Sequence, residues 1–209
     1  MYLIRIRLNK RKKDARAVLK NRNVAHGIIE RAFDDYGSRK LWRLDHLNGN
    51  DYLLIVSETK PSKEHLIQHF GCENAKEEDY ICKDYDLVLN RIVENSQWRF
   101  HTDVVPSICN KSNGKLRHIV DADSAETKRC EWIMQKGKTH GFNVDSITCS
   151  KPSVAHAFRS NTSSSINLYM TTFDGVLTVT DVDKFTHLLT HGLGHQKIFG
   201  LGMMTLARV

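Results

Sequence analysis

The order of apolar patterns along this 209-residue chain constrains its fold more than any single motif does. Residues 2–8, Tyr-Leu-Ile-Arg-Ile-Arg-Leu, alternate apolar and basic from Leu3 onward, the period-two signature of a half-buried strand. A polar stretch, 9–21, reads as too charged for core. Beyond it Val24, Ile28, Ile29, Ala32 and Phe33 mark one face of a helix that ends near Tyr36-Gly37. Residues 40–46 and 52–56 read as strands paired across Asn48-Gly49-Asn50. Pro61-Ser62-Lys63-Glu64 opens a short helix that Gly71 stops after Phe70, and 87–93 reads as a further strand. Strand, helix, two strands, helix, strand is the ferredoxin-like unit.

The rest of the chain repeats that order. Residues 98–105 read as a strand and 124–139 as a helix with Ala125, Cys130, Trp132 and Ile133 inward. A strand at 142–149 follows, then 166–173 and 176–179 as a hairpin across Asp174-Gly175. A helix at 182–189 and a strand at 203–207 complete the set. Element order, not residue identity, carries the repeat. The expectation is an α+β protein of two tandem ferredoxin-like (RRM-like) domains, 1–94 and 95–209, divided near Glu94–Ser96. Residues 111–115 and 160–165 read as polar loops.

Several functional classes drop out on composition. With 40% hydrophobic and 26% charged residues the chain is that of an ordinary folded protein. No apolar run approaches a membrane span and the N-terminus has no signal-peptide apolar region, which predicts a cytoplasmic protein with no membrane partner. Cys72, Cys82, Cys109, Cys130 and Cys149 form no C-x-x-C pair, so they read as free thiols. His65 with His69, and His187 with His191, have helical i, i+4 spacing, but no third ligand or carboxylate–histidine motif accompanies them. Neither a metal nor a cofactor is expected.

Charge is unevenly placed. Residues 1–43 hold thirteen Lys and Arg against four acids, although the whole chain carries only +7, so the remainder is slightly acidic. A basic segment on a near-neutral body is the footprint of a polyanion. The segment lacks a large apolar helical face, which favours nucleic acid over a membrane surface. Aromatic content of 8% and the lack of RNP motifs argue against sheet faces that stack single-stranded bases.

Gly192, Gly194, Gly200 and Gly202 fall within eleven residues, with His195 and Lys197 between them. The spacing matches neither a P-loop nor a Rossmann fingerprint. On spacing alone it reads equally as a backbone cradle for phosphate or as a helix C-cap and turn into a last strand.

The first strand MYLIRIRLN, a histidine at the start of the first helix, the paired halves and the G-x-G-x5-G-x-G loop before a final strand together resemble one family. It is the CRISPR repeat-processing endoribonucleases of type I-E systems, the CasE type. Residues 192–207, the strand Trp98–Asp103 with Pro106, and the helix 125–132 with its Trp are similar to family features. The resemblance implies a metal-independent ribonuclease without cofactor. It would cut precursor crRNA at the 3′ base of the repeat stem-loop, leaving a 2′,3′-cyclic phosphate and a 5′-hydroxyl. It also implies that the protein keeps the mature crRNA and joins the other subunits of the surveillance complex. His26 matches the catalytic histidine; imidazole as a chemical group can exchange a proton near neutral pH, which suits proton transfer as base or acid. The family often carries Tyr three residues earlier and Arg one residue later, where this chain has Asn23 and Gly27. Arg11, Lys12, Lys13, Arg16, Lys20 and Arg22 correspond to a basic first loop and helix along the RNA, Arg159 to an inserted hairpin beside the stem, and His195 and Lys197 to loop residues near phosphate. The competing reading is an RNA-binding or structural ribonucleoprotein subunit of the same fold that does not cleave.

Overall fold

The computed structural model describes residues 1–35, 37–73, 76–109, 116–119, 125–158 and 165–209. The chain divides into two compact units. One comprises Met1–Leu89, Ala155–Asn167 and Lys197–Gly200; the other comprises Asn90–Val154, Leu168–Gln196 and Leu201–Val209.

The first unit is built on β1 (Tyr2–Arg7), whose Ile4 and Ile6 are fully buried while Arg5 and Arg7 take the other face. It pairs antiparallel with β3 (Asn50–Ser57) and with β4 (Tyr80–Asp84), and β2 (Leu41–Leu47) pairs with β3, giving the order β2-β3-β1-β4. Helices α1 (Lys13–Lys20), α2 (Arg22–Glu30) and α3 (Lys63–His69) supply Ala15, Val18, Ala25, Ile29 and Leu66 to a core shared with Ile4, Ile6, Trp42, Leu53 and Ile55. Two elements of this unit differ from the pattern expected from the sequence. The polar stretch 9–21 contains α1, because Ala15 and Val18 lie three apart and turn inward while the charges stay outside. The closing strand is 80–84, not 87–93. Residues Asp86–Leu89 form a short helix, α4; Leu87 and Val93 are exposed and only Ile92 of that run is buried, so its apolar look does not mark a strand.

In the second unit the strands β5 (Gln97–Val104), β8 (Phe142–Cys149), β10 (Ser165–Val179) and β11 (Met204–Arg208) are antiparallel in the order β11-β5-β10-β8. Counted along the chain, this is the same fourth-first-third-second order as in the first unit. The fold is therefore two tandem ferredoxin-like sheets, each with its own helices. Helix α5 (Ala125–His140) and α6 (Val182–His191) contribute Ile133, Phe185, Leu188 and Leu189 to a core with Phe100, Phe142 and Phe173. Strands β6 (Ser107–Cys109) and β7 (Leu116–His118) pair with each other, and β9 (Ser153–Phe158) pairs with β10.

The hairpin expected at Asp174-Gly175 does not exist: β10 runs unbroken through both residues. Gly175 pairs with Phe100 on one side and Ile147 on the other, and a Cβ there would lie 2.1 Å from the Ser146 carbonyl oxygen. This glycine permits close approach of a neighbouring strand rather than a turn. A register irregularity follows between Val176 and Leu177. No helix among the described residues is long and apolar enough to cross a membrane.

Candidate active site

Helix α2 begins where Asn21 caps it. The Asn21 side chain accepts a hydrogen bond from the Asn23 amide, which satisfies one of the unpaired N–H groups of a helix start. Ala25, Ile28 and Ile29 face the core, and this fixes the opposite face of the helix toward solvent. His26 falls on the outer side, with 40% of its side chain exposed. One turn further on, Glu30 stands 3.7 Å from His26 Nδ1.

His26 and Glu30 line a cleft of about 250 Å³ with Gly37, Ser38, Arg39, Lys40, Lys197 and Ile198. Its floor is strongly organised. The Lys40 side chain is fully covered; its Nζ lies 2.9 Å from Asp35 Oδ1 and 3.5 Å from Glu30 Oε2, and donates to the Asp35 carbonyl at 2.6 Å. Ser38 and Thr59 donate to the other Asp35 oxygen at 2.5 and 2.9 Å. The Ser38 hydrogen bond first, then Lys40, holds the Asp35 carboxyl down at about 2. An imidazole beside Lys197 and Arg39 is an arrangement suited to an anionic ester: the cations attract it and the imidazole exchanges a proton with it.

The far wall is the turn Lys197–Phe199 with Gly200. Buried Arg22 donates from Nη1 to the carbonyls of Phe199 and Gly200 at 3.2 and 3.1 Å, so its guanidinium anchors this turn instead of facing solvent. Gly200 has φ +70°, and a Cβ there would stand 2.3 Å from the Trp42 ring. Gly202 has φ +84° and its Cβ would meet the Leu193 carbonyl oxygen at 2.2 Å. At these two positions the loop's glycines serve close packing.

Other basic residues divide between scaffold and surface. Lys12 Nζ donates to the carbonyls of Ile67 and Gln68 at the end of α3, a helix C-terminal cap. Arg16 is exposed and donates from Nη1 to the carbonyls of Lys10 and Arg11. Arg11, Lys13 and Lys20 are exposed. His195, Gly192 and Gly194 belong to the second unit, where His195 is exposed. Arg159 lies outside the described residues, as do 111–115 and 160–164. Among the described residues no group of His, Cys, Asp or Glu is arranged to hold a metal; His65 and His69 instead contact each other, the Ile28 carbonyl and Asp14. The structure adds Glu30, Ser38, Arg39 and Lys40 to the residues around His26. Of these only Glu30 had a signal in the sequence, its i+4 spacing.

The model of a family described as CRISPR associated protein matches residues 1–208. The chain is similar to the CRISPR endoribonuclease Cse3 bound to 19-nucleotide RNA, at 19% identity and TM-score 0.83, covering 99% of this chain and 100% of that one. It is similar to Thermus thermophilus Cse3 bound to an RNA representing a pre-cleavage complex, at 19% identity and TM-score 0.78, covering 99% and 98%. It also matches a chain of a CRISPR RNA-guided surveillance complex in a pre-nicking state, at 20% identity and TM-score 0.68 over 100% of both chains. At these identities the likeness establishes the fold. No curated protein matches the sequence significantly.

Proposed function

The chain belongs to the CRISPR associated protein family, and from that premise we propose that it is a metal-independent endoribonuclease that binds the CRISPR repeat stem-loop. It cuts precursor crRNA at the 3′ base of the stem. The observation that carries this reading is His26, half-exposed on α2 in a cleft shared with Lys197 and Arg39. Solved structures of the same fold that are bound to RNA, one of them to an RNA representing a pre-cleavage complex, support it.

In the proposed reaction the 2′-hydroxyl adjacent to the scissile phosphate loses its proton and attacks phosphorus. The P–O2′ bond forms, the P–O5′ bond breaks, and O5′ gains a proton, leaving a 2′,3′-cyclic phosphate and a 5′-hydroxyl. His26 serves one of the two proton transfers and water supplies or accepts the other proton. Lys197 and Arg39 offset charge on the phosphate. Arg11, Lys13, Lys20 and the exposed backbone-bonded Arg16 lie along stem phosphates, with His195 and Arg159 as further contacts; Lys12 and Arg22 act by holding α3 and the glycine turn. The 1–94 half carries the chemistry and the 95–209 half carries most of the glycine loop. We further propose that the protein is cytoplasmic, retains the mature crRNA and takes a place in a type I-E surveillance complex; a chain of similar fold belongs to a CRISPR RNA-guided surveillance complex.

Incubating the protein with its repeat RNA in excess EDTA tests the reading. The wild type is expected to cut. His26→Ala should cut slower by about 10²- to 10⁴-fold while still binding the hairpin. Undiminished cutting by the variant, or cutting that requires a divalent ion, overturns the assignment. Tight binding without any cutting by the wild type identifies a non-catalytic RNA-binding subunit.

A further inference from the structure

The cleft contains a carboxylate that the proposed chemistry leaves unused. Glu30 sits between two nitrogen groups, 3.7 Å from His26 Nδ1 and 3.5 Å from Lys40 Nζ. The lysine is the immobile partner: its side chain is fully covered, Asp35 holds it by two contacts, and Asp35 is held in turn by Ser38 and Thr59. Glu30 and His26 are each more than a third exposed and are free to close the remaining gap by a small rotation. A carboxylate facing one ring nitrogen of a histidine selects the tautomer that places the proton there and leaves the other nitrogen bare.

Resting on the ribonuclease reading above, we propose that Glu30 is a positioning residue for His26. Anchored by Lys40, its carboxylate keeps the proton on Nδ1 and directs Nε2 into the cleft as the nitrogen that exchanges a proton with the RNA. The lysine stops the Glu30 side chain from swinging away. The arrangement gives a role to a cleft lysine whose side chain is wholly covered. Without a neighbour of this kind, a neutral imidazole in water favours the proton on Nε2, so Glu30 reverses the default.

The test is long-range nitrogen–proton NMR of His26 in the full-length protein above its titration, together with single-turnover cleavage of the repeat hairpin. Wild type should show the Nδ1–H form. Glu30→Ala should shift His26 to Nε2–H and slow cleavage about fivefold, the scale of a solvent-exposed pair, with hairpin affinity and KM unchanged. Glu30→Gln, which keeps an acceptor but no charge, should retain the Nδ1–H form and restore much of the rate. Finding Nε2–H in the wild type, or the same tautomer and rate in Glu30→Ala, overturns the proposal. The two readings fail separately. If His26→Ala cuts normally, the ribonuclease assignment to His26 falls while the tautomer still reports on Glu30. If His26→Ala is dead and Glu30→Ala is normal, only the positioning role falls.

Discussion

Around α1, Arg11, Lys13 and Lys20 project into solvent, whereas over α2, β2 and the segment joining them the cations Arg22, Lys40 and Arg43 are buried and bonded to carbonyls or carboxylates. Both regions belong to the same basic run at the head of the chain. Arg43 clasps Asp45 through Nε and Nη2 at 2.6 and 2.9 Å, and Arg22 grips the turn before Gly200. The contrast shows that a sequence's charge excess is not its binding surface. Part of the excess builds the walls of the His26 cleft, and only the remainder is available to phosphates.

That contrast can be broken from the inner side first. Gly200→Ala forces a Cβ against the Trp42 ring at a left-handed φ and should destabilise the fold by about 3 kcal/mol, read as a lowered urea midpoint. Lys40→Met strips Asp35 and Glu30 of their shared cation and should cost about 2 kcal/mol, less than for a wholly buried pair because both carboxylates are partly exposed. Lys13→Met and Lys20→Met should leave the urea midpoint unchanged and act only on RNA. Each should flatten the slope of log affinity against log salt by about 1, measured by titrating the hairpin at several ionic strengths. A destabilised Lys13→Met, or a salt slope altered equally by Lys40→Met, would erase the distinction.

The smallest effect is linked to protons. The Asp35 carboxyl titrates at about 2, below the ordinary 3.8, because Ser38 and Lys40 favour its anion. Its contribution is therefore complete above about pH 4 and is lost as pH falls toward 2. Asp35→Asn should remove this part of the acid dependence of the urea midpoint, seen as a flatter difference curve between pH 5 and 2.

The ferredoxin-like element order was legible because apolar residues alternate around strong punctuation, such as Asn48-Gly49 and Gly71 in the first half. Other elements were hidden for identifiable reasons. Helix α1 shows only Ala15 and Val18 as inward residues, so its charges disguised it. Edge strand β4 is short and half polar, and exposed Leu87 and Val93 imitated a strand in its place. At Asp174-Gly175 the residues of a tight turn and of a close strand crossing are the same, and only the position of Ser146 tells them apart. At the candidate site, family resemblance is what points to His26, while Lys40 carries no periodic signal because Asp35, five residues back, and Glu30 meet it outside any helical or strand spacing.

The central claim, intramolecular 2′-hydroxyl attack served by His26, is tested most directly by the mass of the cut ends. Repeat RNA cleaved by the wild type in EDTA is predicted to yield a 2′,3′-cyclic phosphate and a 5′-hydroxyl, and a substrate with 2′-deoxyribose at the scissile nucleotide should bind but stay intact. A 3′-hydroxyl with a 5′-phosphate, or cleavage of the deoxy-substituted RNA, would contradict it.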